Sequence, residues 1–456
     1  MFLLMCFAIF ALPGFVFAGP EGKLVVAVPS LGSEKLDYSR GQTEATNTET
    51  VRAMTRRLIE FVDGKYAPGL AESWKMSPDG KIWDVYLRKG IKWHNGDTLT
   101  SQDVVFGVER MKRPEIQAGT QVAPLMDFIE KVEAVDDYHV RYRFKNPYPA
   151  FGYYSSLAPP MPKKYLEKVG DAVFNEKPIG MGPFKFVSRV KGSEYTFEAF
   201  EDYYGKVPPF KTLVIRIIPE IATRLAALKT GEIDIAKDVQ GQMLEEVKKT
   251  PGLHITSTPT GTVSYMIFAE RKNPKSVWAD VRVRKAAAMA IDRETISKVV
   301  FRGEAMPAVF PAGHFEFGMP KDLKPFPYDP EKAKALLAEA GYPNGLPGVW
   351  DLQTMHSGSC PFQAVVTEAV AGYLAKVGIK TRFQVVEGGA FGTAWKAKKL
   401  VGIPVTGNGE TRFDVGLKNN VWGGGADGWS WQEPPQVRRA VGRVDWQRRP
   451  TMPDAE

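Results

Sequence analysis

Cysteine is nearly absent: there are two in 456 residues, Cys6 and Cys360. A chain of this size with so few thiols is not built on a disulfide framework. Histidine is scarce too. The five, His94, His139, His254, His314 and His356, stand far apart, with none paired at metal-ligand spacing. No Gly-x-Ser-x-Gly elbow, phosphate loop ending in Lys-Ser/Thr or His-Glu-x-x-His occurs. The nearest approach to a dinucleotide loop, Gly180-Met181-Gly182, runs into Pro183, which spoils a helix N-terminus cradle. Charge of one sign is not concentrated: 60 Lys and Arg face 52 Asp and Glu, net +8, with no run of five like charges. That pattern is a solvated mixed surface and argues against nucleic-acid binding. Paired acids such as Asp136-Asp137 and Glu245-Glu246 read as turn and helix-surface residues. No catalytic residue, metal or cofactor is expected.

What is present describes a globular protein of several cores. The chain is 44% hydrophobic and 25% charged, with 26 Phe and 10 Trp. Its length suggests about two to four domains. The first 18 residues carry no charge, and Phe2 to Leu12 is almost wholly apolar before Pro13-Gly14. This pattern reads as a secretory segment with cleavage after Ala18, too short to span a bilayer. Cys6 would leave with it and Cys360 would stand alone, consistent with an oxidising, periplasm-like space.

Local patterns place the elements. Leu24 to Val28 and Trp83 to Arg88 read as strands, and Thr100 with Asp103 as a capping box opening a helix. Lys131 to Phe144 reads as two strands turning at Asp136-Asp137, and Pro183 to Phe200 as a hairpin turning at Lys191-Gly192. Leu213 to Ile218 is a β-branched strand. A helix follows with Ile221, Leu225 and Leu228 on one face, ended by Gly231, then a strand from Glu232 to Ala236. Val281 to Val300 reads as one long helix. Asp329-Pro330 starts another, with Ala333, Leu336, Leu337 and Ala340 as its stripe. Val365 to Val377 is a helix leading, past Gly378, into a strand over Ile379 to Val385.

Residues 68–105 carry Leu70-Ala71-x-Ser73-Trp74, Ser77-x-Asp79-Gly80, Leu87-Arg88-x-Gly90, Trp93-His94-Asn95-Gly96 and Asp103-Val104. Further on come Pro178-Ile179-Gly180-Met181-Gly182-Pro183-Phe184, Tyr203-Tyr204-Gly205 and Gly231-Glu232-Ile233-Asp234. Asp280-Val281-Arg282-Val283-Arg284 and Tyr328-Asp329-Pro330-Glu331 complete the series. In this order the motifs resemble the family 5 extracellular solute-binding proteins, the peptide- and nickel-binding receptors of bacterial ABC importers. The residues themselves ask for no catalysis. Trp74, Trp83 and Trp93 suit packing, His94 a hydrogen-bonded structural role, and Arg282 and Arg284 ion pairs with Asp280 or Asp292.

The resemblance implies an α/β, two-lobed periplasmic-binding-protein-like fold with an extra α/β subdomain in the first lobe. It places the first lobe at 19–45 and 165–258, the inserted subdomain at 46–164, an incomplete second lobe at 259–400, and an atypical tail at 401–456. It implies an exported or periplasmic receptor, a monomer and not an enzyme, that closes over a peptide or peptide-like solute and presents it to an ABC importer permease. A nickel chelate, an opine or an oligosaccharide are the alternatives within the family; a secreted hydrolase or a chemoreceptor accessory protein lie outside it. The ligand-contacting residues implied are Ser33 and Glu34 in the loop Ser30–Glu34, then Met355, His356 and Ser357, and Trp422 with Asp427 in the Gly-rich stretch 422–427. Arg271 and Arg382 are further candidates for a ligand carboxylate. Beyond Leu400 the pattern departs from the family, so the chain reads as truncated or frameshifted there and is expected to be marginally stable.

Overall fold

The computed structural model describes residues 20–31, 35–40, 45–62, 65–116, 123–148, 151–155, 158–239, 242–257, 262–309, 324–355, 362–387, 390–391, 394 and 399–408. They form two compact units whose main division falls between Asp238 and Val239, with Lys65 at the start of β3 grouped with the second unit.

The first unit runs β1 Lys23–Val28, α1 Ala45–Met54, β2 Ile59–Val62, β3 Lys65–Pro68, β4 Ala71–Met76, β5 Ile82–Leu87, α2 Ser101–Met111 and α3 Ala123–Phe128. It continues through β6 Ile129–Asp136, β7 His139–Phe144, α4 Phe151–Tyr154, α5 Lys163–Glu176, β8 Phe184–Val190, β9 Glu194–Ala199, β10 Thr212–Ile217, α6 Ile221–Lys229 and β11 Ile235–Ala236. A five-stranded sheet has the order β11-β1-β10-β9-β8, and a four-stranded one β4-β5-β7-β6.

In the four-stranded sheet the period of two decides the packing. Trp83, Val85 and Leu87 of β5 are buried, while Tyr86 between them is exposed. Trp83 meets Phe151 edge-on at 5.4 Å, and Tyr142 of β7 meets the same ring at 4.4 Å. The expected capping box opens α2. Asp103 Oδ2 accepts the Thr100 N–H at 2.9 Å and the Trp93 Nε1–H at 3.3 Å, while Oδ1 accepts the Lys163 N–H at the start of α5 at 3.0 Å. One carboxylate thereby sets the starts of two helices, and its burial raises its pKa.

The five-stranded sheet buries both faces. Leu213, Ile215, Phe197 and Tyr195 pack on one side with Leu36, Met54 and Phe174. Val25, Ala27 and Val214 pack on the other with Ala227 of α6 and Ile233. The strand expected over Glu232 to Ala236 is shorter, because Gly231 is left-handed and Asp234 turns its carboxylate onto the Val25 N–H at 2.7 Å. Only Ile235 and Ala236 remain in the ladder.

The second unit runs α7 Gln242–Lys249, β12 Val263–Met266, α8 Val281–Met289, α9 Arg293–Val300, α10 Pro330–Glu339, β13 Trp350–Met355, α11 Gln363–Lys376, β14 Thr381–Val386 and β15 Val405–Asn408. The long helix expected over 281–300 is two. Asp292 leaves helical geometry and caps α9 by accepting the Thr295 N–H at 2.9 Å. Asp329 caps α10 through the Lys332 N–H at 2.8 Å, with Pro330 as the first helical residue, as the local sequence predicts. β13 pairs parallel with β14, which is reached through α11, and β12 pairs antiparallel with β15. Trp278, Leu337, Leu352, Leu374, Ile379 and Val405 share one core. Beside it Gly345 and Gly378 meet backbone to backbone. Both have positive φ, and a Cβ on Gly345 would stand 2.3 Å from the Gly378 carbonyl oxygen.

Candidate functional site

Parallel strands end their carbonyl termini on one edge of a sheet, and the loops leaving that edge are where α/β proteins build sites. In the first unit β1 is parallel to both β10 and β11, and the crossover β10–α6–β11 passes over it. Three segments therefore leave the same edge: Pro29–Leu31, Ile218–Glu220 and Lys237–Asp238.

The loop Ser30–Glu34 begins here. Leu31 is a core residue, 2% exposed, and so is not part of an exposed ligand loop. Ser33 and Glu34 lie outside the described residues. On the far side the chain is tied down firmly. Leu36 is buried, and Asn175 Oδ1 accepts the N–H groups of Leu36 and Asp37 at 3.0 and 3.3 Å. The buried Asp37 carboxylate accepts from Arg110 Nη2 at 2.8 Å, from Arg40 Nε at 3.1 Å and from the Ser39 hydroxyl at 2.6 Å. Arg110, 1% exposed, also bonds the Ser39 hydroxyl and pairs with Asp171 at 2.8 Å. The two described ends of the candidate loop are thus anchored, one by apolar packing and the other by a buried ion cluster.

In the second unit Met355 occupies the carboxyl end of β13. It is half-buried, against Ile267, Phe391 and Leu400. His356, Ser357, Trp422 and Asp427 lie outside the described residues. Arg382 is engaged at the other end of β14, its guanidinium 2.6 Å from Asp351 near the start of β13. Arg271 follows β12; burial, with the Arg284 charge adding, holds it down to about 10.

The histidine of the Trp93-His94-Asn95-Gly96 motif is structural. His94 Nε2 lies 3.0 Å from the Gly182 carbonyl and Nδ1 accepts the Gly180 N–H at 3.0 Å, so the proton sits on Nε2. Burial lowers its pKa to about 4. Arg282 pairs with Asp280 at 2.6 Å, whereas Arg284 donates to the carbonyls of Trp278 and Ala279. Among the described residues no group of three His, Cys, Asp or Glu is placed to hold a metal ion. No helix among them is long and apolar enough to cross a membrane.

Two groups escaped the sequence reading. Asp37 and Arg110 are 73 residues apart and no local pattern joins them. Arg224 did leave a trace. It sits three residues after Ile221 and four before Leu228, on the apolar stripe of α6, where a charge is out of place.

The sequence model of the bacterial extracellular solute-binding proteins, family 5 Middle, matches residues 65–410. The dipeptide-binding protein of Escherichia coli (strain K12) is 30% identical over 359 residues, covering 74% of this chain and 66% of that protein. Heme-binding protein A of Haemophilus influenzae is 31% identical over 378 residues, covering 77% of this chain and 66% of that protein. Among solved structures, the ABC transporter-associated periplasmic binding protein DppA of Helicobacter pylori, in complex with the peptide STSA, aligns with a TM-score of 0.76 at 25% identity, over 93% of this chain and 86% of that one. The chain spans just under two thirds of the length of the two curated relatives. The mixed α/β, periplasmic-binding-protein-like fold expected from the sequence is borne out by this likeness.

Proposed function

The chain belongs to the bacterial extracellular solute-binding proteins, family 5, and on that premise we propose that it is the exported receptor of an ABC importer. It captures a short peptide or peptide-like solute and delivers it chemically unchanged to the membrane permease, acting as a monomer without catalysis. The observation that carries this reading is the family match running through 65–410, across both units. The peptide class is supported by the dipeptide-binding relative and by the neighbouring structure that holds a peptide. The charge-free segment Met1–Ala18 supports export.

In the chain, Ser33 and Glu34 follow β1 of the first unit, and His356 and Ser357 follow Met355, the last residue of β13 in the second. Trp422 and Asp427 supply an aromatic face and an acid for the peptide's amino group. A ligand that touches both units favours the closed state by the contacts it makes only there. Glu34 or Asp427 pairs with an ammonium, and strand-end N–H and C=O groups pair with the peptide backbone.

Isothermal titration with alanyl-alanine, tri-alanine, hemin and nickel–histidine tests the class directly. Binding of the peptides, with the same peptide recovered intact by mass spectrometry, is the expected result. Binding of hemin alone would replace the peptide reading with the one that the heme-binding relative favours. Recovery of cleaved peptide would make the protein a hydrolase.

A further inference from the structure

Three observations meet where the chain passes from one unit to the other. Asp238 is the last residue of the first unit, and Val239 opens the long segment of the second, which otherwise takes only residues 63–65. Among the described residues only Asp238 and Arg302 combine a side chain with positive φ, at 55° and 54°. Arg302 closes α9 next to Gly303, where a left-handed residue is an ordinary helix ending. Asp238 ends no helix. It follows Lys237, whose N–H donates to the Ala27 carbonyl at 2.9 Å in the last rung joining β11 to β1. The left-handed turn therefore comes immediately after the chain leaves the sheet, in a conformation that costs a non-glycine residue energy and persists only where its surroundings hold it.

The third observation is what holds it. Arg224 of α6 is 3% exposed, yet its hydrogen-bond partners among the described residues are all backbone carbonyls. Nη1 donates to Ile218 and Pro219, each at 2.6 Å, and Nη2 reaches Asp238 at 3.5 Å. Its Nε is buried without a partner among the described residues. Burial lowers its pKa, and Asp238 and Glu220 oppose that only at longer range. A buried cation without an ion pair is a poor stabiliser, and an apolar side chain of like volume usually serves a helix face as well or better. The guanidinium does what no apolar side chain can. Its fork spans the carboxyl ends of two strands, β10 and β11, which β1 separates in the sheet. The grip is unequal, with two short bonds on the end of β10 and one long bond on the crossover. A restraint of that kind orients the departing chain and still yields when it rotates.

We propose that Arg224 is a positioning residue for the passage between the units, holding Asp238 in its left-handed turn and so fixing the point about which the second unit moves when solute binds. This rests on the closure described under Proposed function. It adds that the pivot is set from α6, by carbonyl bonds, at Asp238.

Full-length Arg224→Met, Arg224→Lys and Asp238→Gly, with the double variant Arg224→Met/Asp238→Gly, test it by hydrogen exchange and by small-angle scattering with alanyl-alanine and tri-alanine. Arg224→Met is expected to melt at or above the wild-type temperature while exchange at Lys237 to Val239 rises about tenfold or more. The strand amides of β10 keep their protection. Peptide affinity falls about tenfold, Arg224→Lys keeps part of it because an ammonium still reaches a carbonyl, and glycine at 238 recovers much of the loss. If exchange at 237–239 does not change, or rises equally through α6 and β10, Arg224 is only a packing residue and the proposal fails. Should Arg224→Met not fold, the same comparison is made with Arg224→Lys. A wild-type protein that ignores every peptide would overturn the function proposed above, while the exchange measurement would still decide the role of Arg224.

Discussion

Nδ1 of His94 accepts the amide proton of Gly180 at 3.0 Å, and the Gly180 carbonyl accepts the His94 N–H at 2.8 Å in return. With Nε2 donating to Gly182, one imidazole staples the 180–182 segment, and Phe200 closes over it edge-on at 5.0 Å. Protonation would put a second proton on Nδ1, facing the Gly180 N–H, inside a buried pocket. Burial, with the Lys185 charge adding, lowers the pKa from the ordinary 6.5 to about 4.

Stability is therefore expected to depend on acid through this residue. A base whose folded pKa is depressed leaves the unfolded chain to take the proton first. The contribution of His94 is unaffected at pH 7 and is lost progressively as pH falls from about 6.5 to about 4, by up to about 3 kcal/mol. Denaturant melts of wild type and His94→Gln across pH 7 to 4 check it. The variant should be weaker at pH 7 by about 1–3 kcal/mol and should show a shallower slope between those two values.

Gly180 and Gly182 admit no side chain. A Cβ on Gly180 would lie 1.9 Å from the Met54 carbonyl oxygen, and one on Gly182 2.5 Å from the Met54 carbonyl carbon. Gly180→Ala is expected to cost about 3 kcal/mol or more, because backbone must give way. Gly372→Ala serves as the contrast, since it meets nothing within 4 Å on α11. There alanine should stabilise by about 0.5–1 kcal/mol. Equal effects in thermal melts would refute the packing argument.

The buried ion cluster separates strong from weak pairs. Arg110→Ala leaves the Asp37 carboxylate buried, having lost its Arg110 partner, and should cost about 3–5 kcal/mol. Asp171→Ala removes a half-exposed partner of the same guanidinium and should cost about 0–1 kcal/mol. Chemical denaturation distinguishes the two. Because Asp37 anchors the chain just beyond Glu34, Arg110→Ala should also weaken peptide binding.

For the loop residues the expectation is affinity loss at constant stability. Glu34→Gln and His356→Ala should each weaken tri-alanine binding by about tenfold, about 1.4 kcal/mol. Their melting temperatures should match the wild type. Calorimetry on both variants is the check, and unaltered affinity in both would remove these loops from the site.

Much of this was legible wherever the determining chemistry is local. Thr100 with Asp103, Asp329 with Pro330, and the turn at Gly192 each declare themselves within four residues, and the helices and hairpin they bound are in place. The break at Asp292 was missed because an aspartate among Ala, Ile, Arg and Glu reads as helix surface; only its bond to the Thr295 N–H makes it a cap. The five-residue strand before Asp238 shortened to two because of a side chain reaching Val25, 209 residues earlier. Of the candidate site, the sequence offered the loops that follow β1 and β13, each at the carboxyl end of a parallel strand. Leu31 does lie in the loop, three residues past the end of β1, but its side chain is core, and alternation within a strand says nothing of a residue beyond it. Arg224 and the Asp37–Arg110 pair are tertiary facts, visible only once distant segments are brought together.

The contact between Gly345 and Gly378 constrains inheritance as well as shape. Each glycine occupies the space that any side chain on the other would need, and both hold positive φ. A mutational library that varies the two codons independently should return glycine at both positions among folded clones, with no compensating pair such as Ala–Ser surviving. The turns that follow α10 and α11 therefore drift as one heritable character, and the segment between the two glycines can be exchanged as a cassette only if both travel with it.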